Sequence, residues 1–361
     1  MNLIKLQDLH KLDDKLIHMP WYVEQFITYK LPDLSPSSLL EYMRDYEIFF
    51  LWMLAEGLSD ALAIRDIPLD ALEKLRMENV DNFRFFLATR KEKLNAKITI
   101  NRKLSSIRTL FHYLSQIAED DDYYPLLKRN VMAKVEIHRM SKPKDTAAKL
   151  EGKLLQEEEI TEFITYVHQG YALDVATNKQ ALYAYEINKV RDACIIELFL
   201  HSGLRVSEVY NLNLDDVNLT DKITYVYRKG KSDDTLKTPV YFRHEALQAI
   251  SAYISIRQVR YRPQKKEKAF FLAIANGTKE GVRMTKRAIQ EMVMKYATRF
   301  GKPYLSVHKL RHSFATDYYL NNDLYKTQEQ LGHSSPETTQ VYAHLTDKTM
   351  SEAIERKRKD S

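Results

Sequence analysis

Two arginines, two histidines and a tyrosine recur at spacings that suit chemistry on a phosphodiester. His308 and Arg311 form an H-x-x-R pair, His333 follows 22 residues after Arg311, Tyr342 nine residues after His333, and Arg205 stands far upstream in Ser202-Gly203-Leu204-Arg205. Planar guanidinium groups match phosphate oxygens, imidazoles add hydrogen bonds, and a phenol can attack phosphorus. No set of acids converges to hold a metal, so neither metal nor cofactor is expected and nucleic acid is the expected substrate. His308 and His312 could suggest zinc, but lysine follows His308 where an H-E-x-x-H site needs glutamate.

These residues need particular elements to present them. Spacing of three puts His308 and Arg311 on one face of a helix that runs on through Phe314, Ala315, Tyr318 and Tyr319. Leu331-Gly332 reads as a helix end, with Gly332 in the left-handed cap position and His333 just beyond. Ser335-Pro336 restarts a helix that places Tyr342 about two turns along, so the nucleophile rides on a separate short element. Segments 223–228 and 236–242 read as strands around Ser232-Asp233-Asp234, and 269–273 as a third strand. Helical patterns cover 245–259 and 285–300, the latter with Ile289, Met292, Val293 and Tyr296 as its apolar stripe.

Upstream, Ser35 reads as an N-cap with Pro36 at the first helical position, and Gly57 as a stop. A second helix begins near Thr99, with Ile100, Leu104, Ile107, Phe111 and Leu114 on one face. Its other face is expected to offer Arg102, Lys103, Ser105, Ser106, Arg108 and Thr109 to a DNA groove or to phosphates. Between about 136 and 153 the pattern lapses into Ser141-Lys142-Pro143-Lys144-Asp145-Thr146, which reads as a basic interdomain linker.

Length and charge agree with a two-domain, polyanion-binding chain. At 361 residues it exceeds what one core usually serves, with 44% hydrophobic and 29% charged residues. The net charge is +6, and residues 91–150 hold 13 Lys and Arg against 7 Asp and Glu, leaving 42 of each sign elsewhere. All the excess positive charge thus lies in one window, as a nucleic-acid footprint would. The single Cys194 sits in an apolar stretch, which excludes a disulfide framework. No stretch reaches the roughly 18 apolar residues of a membrane span, so a cytoplasmic protein is expected.

The motifs Gly203-Leu204-Arg205-Val206-Ser207-Glu208, His308-Lys309-Leu310-Arg311-His312, Leu331-Gly332-His333-Ser334 and Tyr342 resemble, in order, those of the tyrosine recombinase (phage integrase) family. The segment from Thr99 to Arg108 is similar to the DNA-binding helix of Xer-type members, so the resemblance covers roughly residues 17–345. Total length and the stretch around 168–190 resemble the single-protein Xer recombinases of some Gram-positive bacteria. The resemblance implies a mainly α chain: a helical core-binding (SAM-like) domain and an α+β catalytic domain with a small three-stranded antiparallel sheet. Expected boundaries are an extension at 1–16, the first domain at 17–135, the linker at 136–153 and the catalytic domain with its tail at 154–361.

It also implies roles. Arg205 and Arg311 would hold the scissile phosphate, His308 and His333 would hydrogen-bond it, and Tyr342 would form a 3′-phosphotyrosyl enzyme. A strand-turn lysine would protonate the leaving 5′ oxygen. Lys229 is preferred by spacing from Arg205, while spacing back from Pro239 favours Lys231. Arg102, Lys103, Ser106, Arg108, Lys142, Lys144, Lys231, Lys286 and Arg287 are the expected DNA contacts. The expected partners are duplex DNA and, on synapsed sites, three further copies of the chain; the free protein would be a monomer or weak dimer. The segment Ser351 to Lys359 would reach a neighbouring protomer. Two other readings stand beside this one. A non-catalytic regulator could use 327–338 as a helix-turn-helix with 336–345 as recognition helix, and a type IB topoisomerase shares the phosphotyrosine chemistry.

Overall fold

The computed structural model describes residues 3–89, 95–137, 142–228, 236–274 and 279–346. Two compact units divide the chain, Met1–Met140 and Ser141–Ser361.

The first unit is helical: α1 (Leu3–Leu16), α2 (Trp21–Lys30), α3 (Pro36–Ala55), α4 (Leu69–Lys74), α5 (Met77–Thr89) and α6 (Lys97–Gln116). Helix α3 starts as its sequence predicts, with Ser35 accepting from the Ser38 N–H and Pro36 at the first position. It ends before Gly57, whose φ of +65° is left-handed. In the core of this unit Phe49 packs edge-on to Phe83 and Phe111 and stacks on Trp52, which is tilted against Phe83.

Helix α6 differs from its sequence reading on one side. Lys103 and Ser106 face inward, buried, where Asp45 of α3 draws them in. Asp45 accepts from Arg102 Nη1 and Nη2 at 2.8 and 2.9 Å, from Lys103 Nζ at 2.9 Å and from Ser106 Oγ at 2.9 Å. A carboxylate buried to 1% exposure is tolerable only when so paired. The expectation that Lys103 and Ser106 lie on an open DNA-facing surface is therefore corrected. Arg102, Ser105 and Arg108 do remain exposed, with Arg108 donating to the Val135 carbonyl at 3.3 Å. Asp45→Asn strands two cations and is expected to destabilise this unit by about 3 kcal/mol. Both tryptophans, Trp21 and Trp52, lie in the unit, so urea unfolding followed by their fluorescence reads it. A loss below about 1 kcal/mol would mean that the cations swing out to solvent instead.

The second unit opens on α7 (Pro143–Leu150), α8 (Glu157–Thr165), α9 (Tyr171–Asp174) and α10 (Lys179–Ser202). Helix α7 occupies much of the stretch read as a linker, because Pro143 fits a first helical position and Asp145 accepts from the Lys142 N–H at 3.1 Å. Lys142 and Lys144 are exposed there. Helix α10 is the central element, buried on all sides from Arg191 to Ser202 and including Cys194. After α11 (Val206–Asn211), strands β1 (Val217–Asn218), β2 (Ile223–Tyr227) and β3 (Lys237–Tyr241) form an antiparallel sheet in the order β1-β2-β3. Val217 pairs with Thr224, and Tyr225 with Pro239.

The third strand of that sheet is thus β1, not 269–273. The latter region supplies only β4 (Leu272–Ile274), which pairs with β5 (Gly281–Arg283) in a separate two-stranded sheet. Helices α12 (Glu245–Tyr261), α13 (Lys286–Arg299), α14 (Val307–Leu320) and α15 (Leu324–Leu331) follow, and residues 336–346 form α16. Among the described residues no helix is long and apolar enough to cross a membrane.

Candidate active site

Two left-handed glycines shape the site. Gly203, at φ +68°, ends α10 and turns the chain so that Arg205 begins α11; a Cβ there would overlap the Phe314 ring of α14. Gly332, at φ +61°, ends α15 and delivers His333; a Cβ there would lie 2.6 Å from Arg228 Cδ. Both positions demand glycine through backbone conformation and through space.

Arginines converge on the C-terminus of α15. Its last carbonyls have no partner within the helix and form the negative end of its dipole. Arg228 donates to the carbonyls of Glu329, at 2.6 Å, and Gln330. Arg311 Nη2 takes that of Leu331 at 2.7 Å, and Arg205 Nη2 that of Gly332 at 2.9 Å. Four successive carbonyls are thus held by three arginines that lie up to 127 residues away along the chain. Arg311 also donates to the Gly203 carbonyl. Glu208 accepts from the Arg205 backbone N–H at 2.8 Å and from its Nη1 at 2.9 Å. A guanidinium carries five N–H groups, so each of Arg205 and Arg311 keeps donors beyond these contacts.

Histidine states follow from the geometry. His333 Nε2 lies 3.2 Å from Arg311 Nη2, which can only donate, so Nε2 accepts and the ring proton sits on Nδ1, 2.9 Å from Thr339 Oγ1. The ring is neutral, and burial with Arg311 and Arg205 beside it brings its pKa down to about 3. Tyr342 is 1% exposed, and its hydroxyl lies 2.9 Å from His312 Nδ1. Burial and the Arg311 charge take His312 down to about 4, so the ring is neutral at pH 7 and Nδ1, in the tautomer protonated on Nε2, can accept a hydrogen bond from the phenol. Burial pushes the phenol itself up to about 12, against the pull of Arg311 and Arg205. Forming free phenolate at pH 7 would then cost roughly 7 kcal/mol, which favours attack with the proton passing to a base.

The structure brings Arg205, Arg311, His333 and Tyr342 together. His308 lies one turn before Arg311 on α14, exposed, and partial desolvation together with Arg311 and Arg205 lowers its pKa. Lys229 and Lys231 lie outside the described residues, as does Ser351 to Lys359. Lys286 sits against the Tyr210 ring at 5.6 Å, and the exposed Arg287 pairs with Glu291 at 2.6 Å. His312 was set aside in the sequence as a zinc candidate; its place on the same helical face as His308 was the available signal.

Acidification tests these histidines. An unfolded imidazole titrates near 6.5, whereas His312 and His333 titrate near 4 and 3 in the fold. Between these values the unfolded chain binds protons that the folded one does not, so stability present above pH 6.5 is lost as pH falls. The thermal midpoint is expected to drop from pH 7 to pH 5, and to drop less in His312→Gln. Equal drops in both proteins would refute the assignment.

Comparison with known proteins converges on one family. Residues 155–349 match the phage integrase family model. The chain is 37% identical to tyrosine recombinase XerS of Streptococcus mutans serotype c, over 96% of this chain and 98% of that one. It is 35% identical to XerS of Streptococcus gordonii with the same coverage. In fold it is similar to the XerH site-specific recombinase bound to a palindromic difH substrate in a post-cleavage complex, with a TM-score of 0.64 at 17% identity. That match covers 98% of this chain and 89% of the other.

Proposed function

The chain belongs to the phage integrase family, and from that premise we propose that it is an Xer-type site-specific tyrosine recombinase that cuts and rejoins duplex DNA through Tyr342. The observation that carries the residue assignment is the placement of Tyr342 against His312, one residue from Arg311, with Arg205 and His333 held at the same helix end.

In this reading the scissile phosphate binds on the remaining donors of Arg205 and Arg311, with hydrogen bonds from His308 and His333. Burial first, and then the arginine charges, keep the imidazoles neutral; a phosphate held there offsets those charges and raises their pKa values, so that His333 Nε2 can take a proton and donate. Tyr342 attacks phosphorus as His312 takes its proton. The bond from phosphorus to the 5′ oxygen breaks, and Lys229 or Lys231 supplies the proton that the 5′ oxygen requires. The product is a 3′-phosphotyrosyl enzyme and a free 5′-hydroxyl. Because the phosphotyrosine retains the energy of the broken ester, a 5′-hydroxyl from another strand can reverse the step without ATP or metal.

Exposed Arg102 and Arg108 on α6, with Lys142 and Lys144, are the backbone contacts we assign; Lys286 and Arg287 at the start of α13 join them. Exchange runs in a four-protomer synapse through a Holliday junction, and the free protein is a monomer or weak dimer in the cytoplasm. We infer resolution of chromosome dimers, or integration and excision of a mobile element, as its task, and the Xer-like length favours the first. The test is incubation with nicked suicide DNA in EDTA followed by denaturing electrophoresis. A protease-sensitive protein–DNA adduct is the expected result; DNA binding without any adduct on a cognate site would leave a non-catalytic regulator.

A further inference from the structure

We propose that Arg228 is a positioning residue for the proton donor. It ties the end of β2, from which the chain runs directly into Lys229, to the α15 C-terminus from which Arg205 and Arg311 are also held. The proposal rests on the reading that Lys229 or Lys231 protonates the 5′ oxygen.

Arg228 directly follows β2 and directly precedes Lys229. It is 4% exposed, and its guanidinium spans two successive carbonyls about a hundred residues away in the chain, those of Glu329 and Gln330. Such a bridge requires the planar fork of arginine, since an ammonium is a point charge. Gly332 makes room for it, because any Cβ there would overlap the Arg228 side chain.

Arg228 is costly as a buried charge. Burial lowers its pKa, Glu208 raises it and Arg205 lowers it, and among the described residues no hydrogen bond joins it to a carboxylate. Its buried Nε has no hydrogen-bond partner among the described residues. An apolar side chain of similar volume would avoid the buried charge, but would leave the Glu329 and Gln330 carbonyls without this partner. What the arginine provides is registry: the strand end that leads into the proton-donor lysine and the arginines proposed to hold the phosphate are referred to one helix end. General acid catalysis depends on hydrogen-bond reach to the accepting oxygen, so a β2 end released from α15 is expected to lose proton donation before phosphate binding.

The experiment compares single-turnover cleavage of ordinary nicked DNA with DNA carrying a 5′-bridging phosphorothiolate, whose sulfur leaves without a proton. Arg228→Ala is expected to slow cleavage of ordinary DNA by about 10²-fold and to regain most of that rate on the sulfur substrate, in parallel with whichever of Lys229→Ala and Lys231→Ala is rescued. Arg228→Lys is expected to show the same pattern, and Arg228→Gln, which keeps amide donors, carries the test if the alanine variant fails to fold. If a lysine variant is rescued but no folded Arg228 variant is, Arg228 does not act through the proton donor and the proposal is wrong. If neither lysine variant is rescued, the proton-donor reading fails, and this proposal with it.

Discussion

Tyr342→Phe is expected to abolish the covalent adduct on nicked suicide DNA while leaving the fold and DNA binding nearly unchanged. The ring is a packing element, enclosed with Phe314, Ala315 and Leu331 and stacked 6.3 Å from the His333 ring, and phenylalanine keeps all of that area. The variant loses one hydrogen bond, to His312 at 2.9 Å, worth about 1 kcal/mol. A midpoint change of a few degrees therefore accompanies complete loss of the nucleophile. Persistence of an adduct in the variant would move the nucleophile to another residue, and Tyr318, stacked on Phe314 from the same helix as Arg311, would be the first to examine.

Arg311→Lys is expected to cut single-turnover cleavage at saturating DNA by about 10²- to 10³-fold. The net charge is unchanged, so long-range attraction to DNA and its salt dependence should stay close to wild type. Geometry is what is lost. The Arg311 guanidinium ties Gly203, Leu331 and His333 together and must still face a phosphate; three rotating donors on one ammonium cannot satisfy those directions together. Burial brings the arginine down to about 10, so it remains charged at neutral pH, and a lysine starting from a lower intrinsic value would sit nearer neutrality in the same place. A loss below tenfold would show that charge alone, not the fork, serves the phosphate.

The parts of this fold that were legible in the sequence are those fixed by local chemistry. Ser35-Pro36 begins α3, Gly332 ends α15 and Ser335-Pro336 begins α16 because capping and proline geometry involve only neighbouring residues. The parts that were not legible depend on distant partners. Lys103 and Ser106 lie beside the apolar stripe of α6, and their inward turn follows from Asp45, 58 and 61 residues away in the chain. Strand β1 has two residues, too few for any periodicity, and exists only through its pairing with β2. The family motifs supplied Arg205, Arg311, His333 and Tyr342. The motif that contains His312 did not supply its relation to Tyr342, a contact across 30 residues of chain.

Helix α16 does not share the main hydrophobic core of its unit. Tyr342 belongs to a small cluster of its own with Phe314, Ala315 and Leu331, edged by Tyr318, Tyr319 and Leu345. That cluster, the His312 bond and the bond from His333 to Thr339 contribute to holding this helix, against the extensive core that surrounds α10. Amide hydrogens of 336–346 should therefore exchange through a local opening far more frequent than global unfolding, and their protection should be independent of denaturant at low concentration. The proposed nucleophile, Tyr342, is thus carried on a segment expected to be less protected than α10. The enzyme can present or withdraw it without disturbing the arginines, because they are anchored to α15 and not to α16.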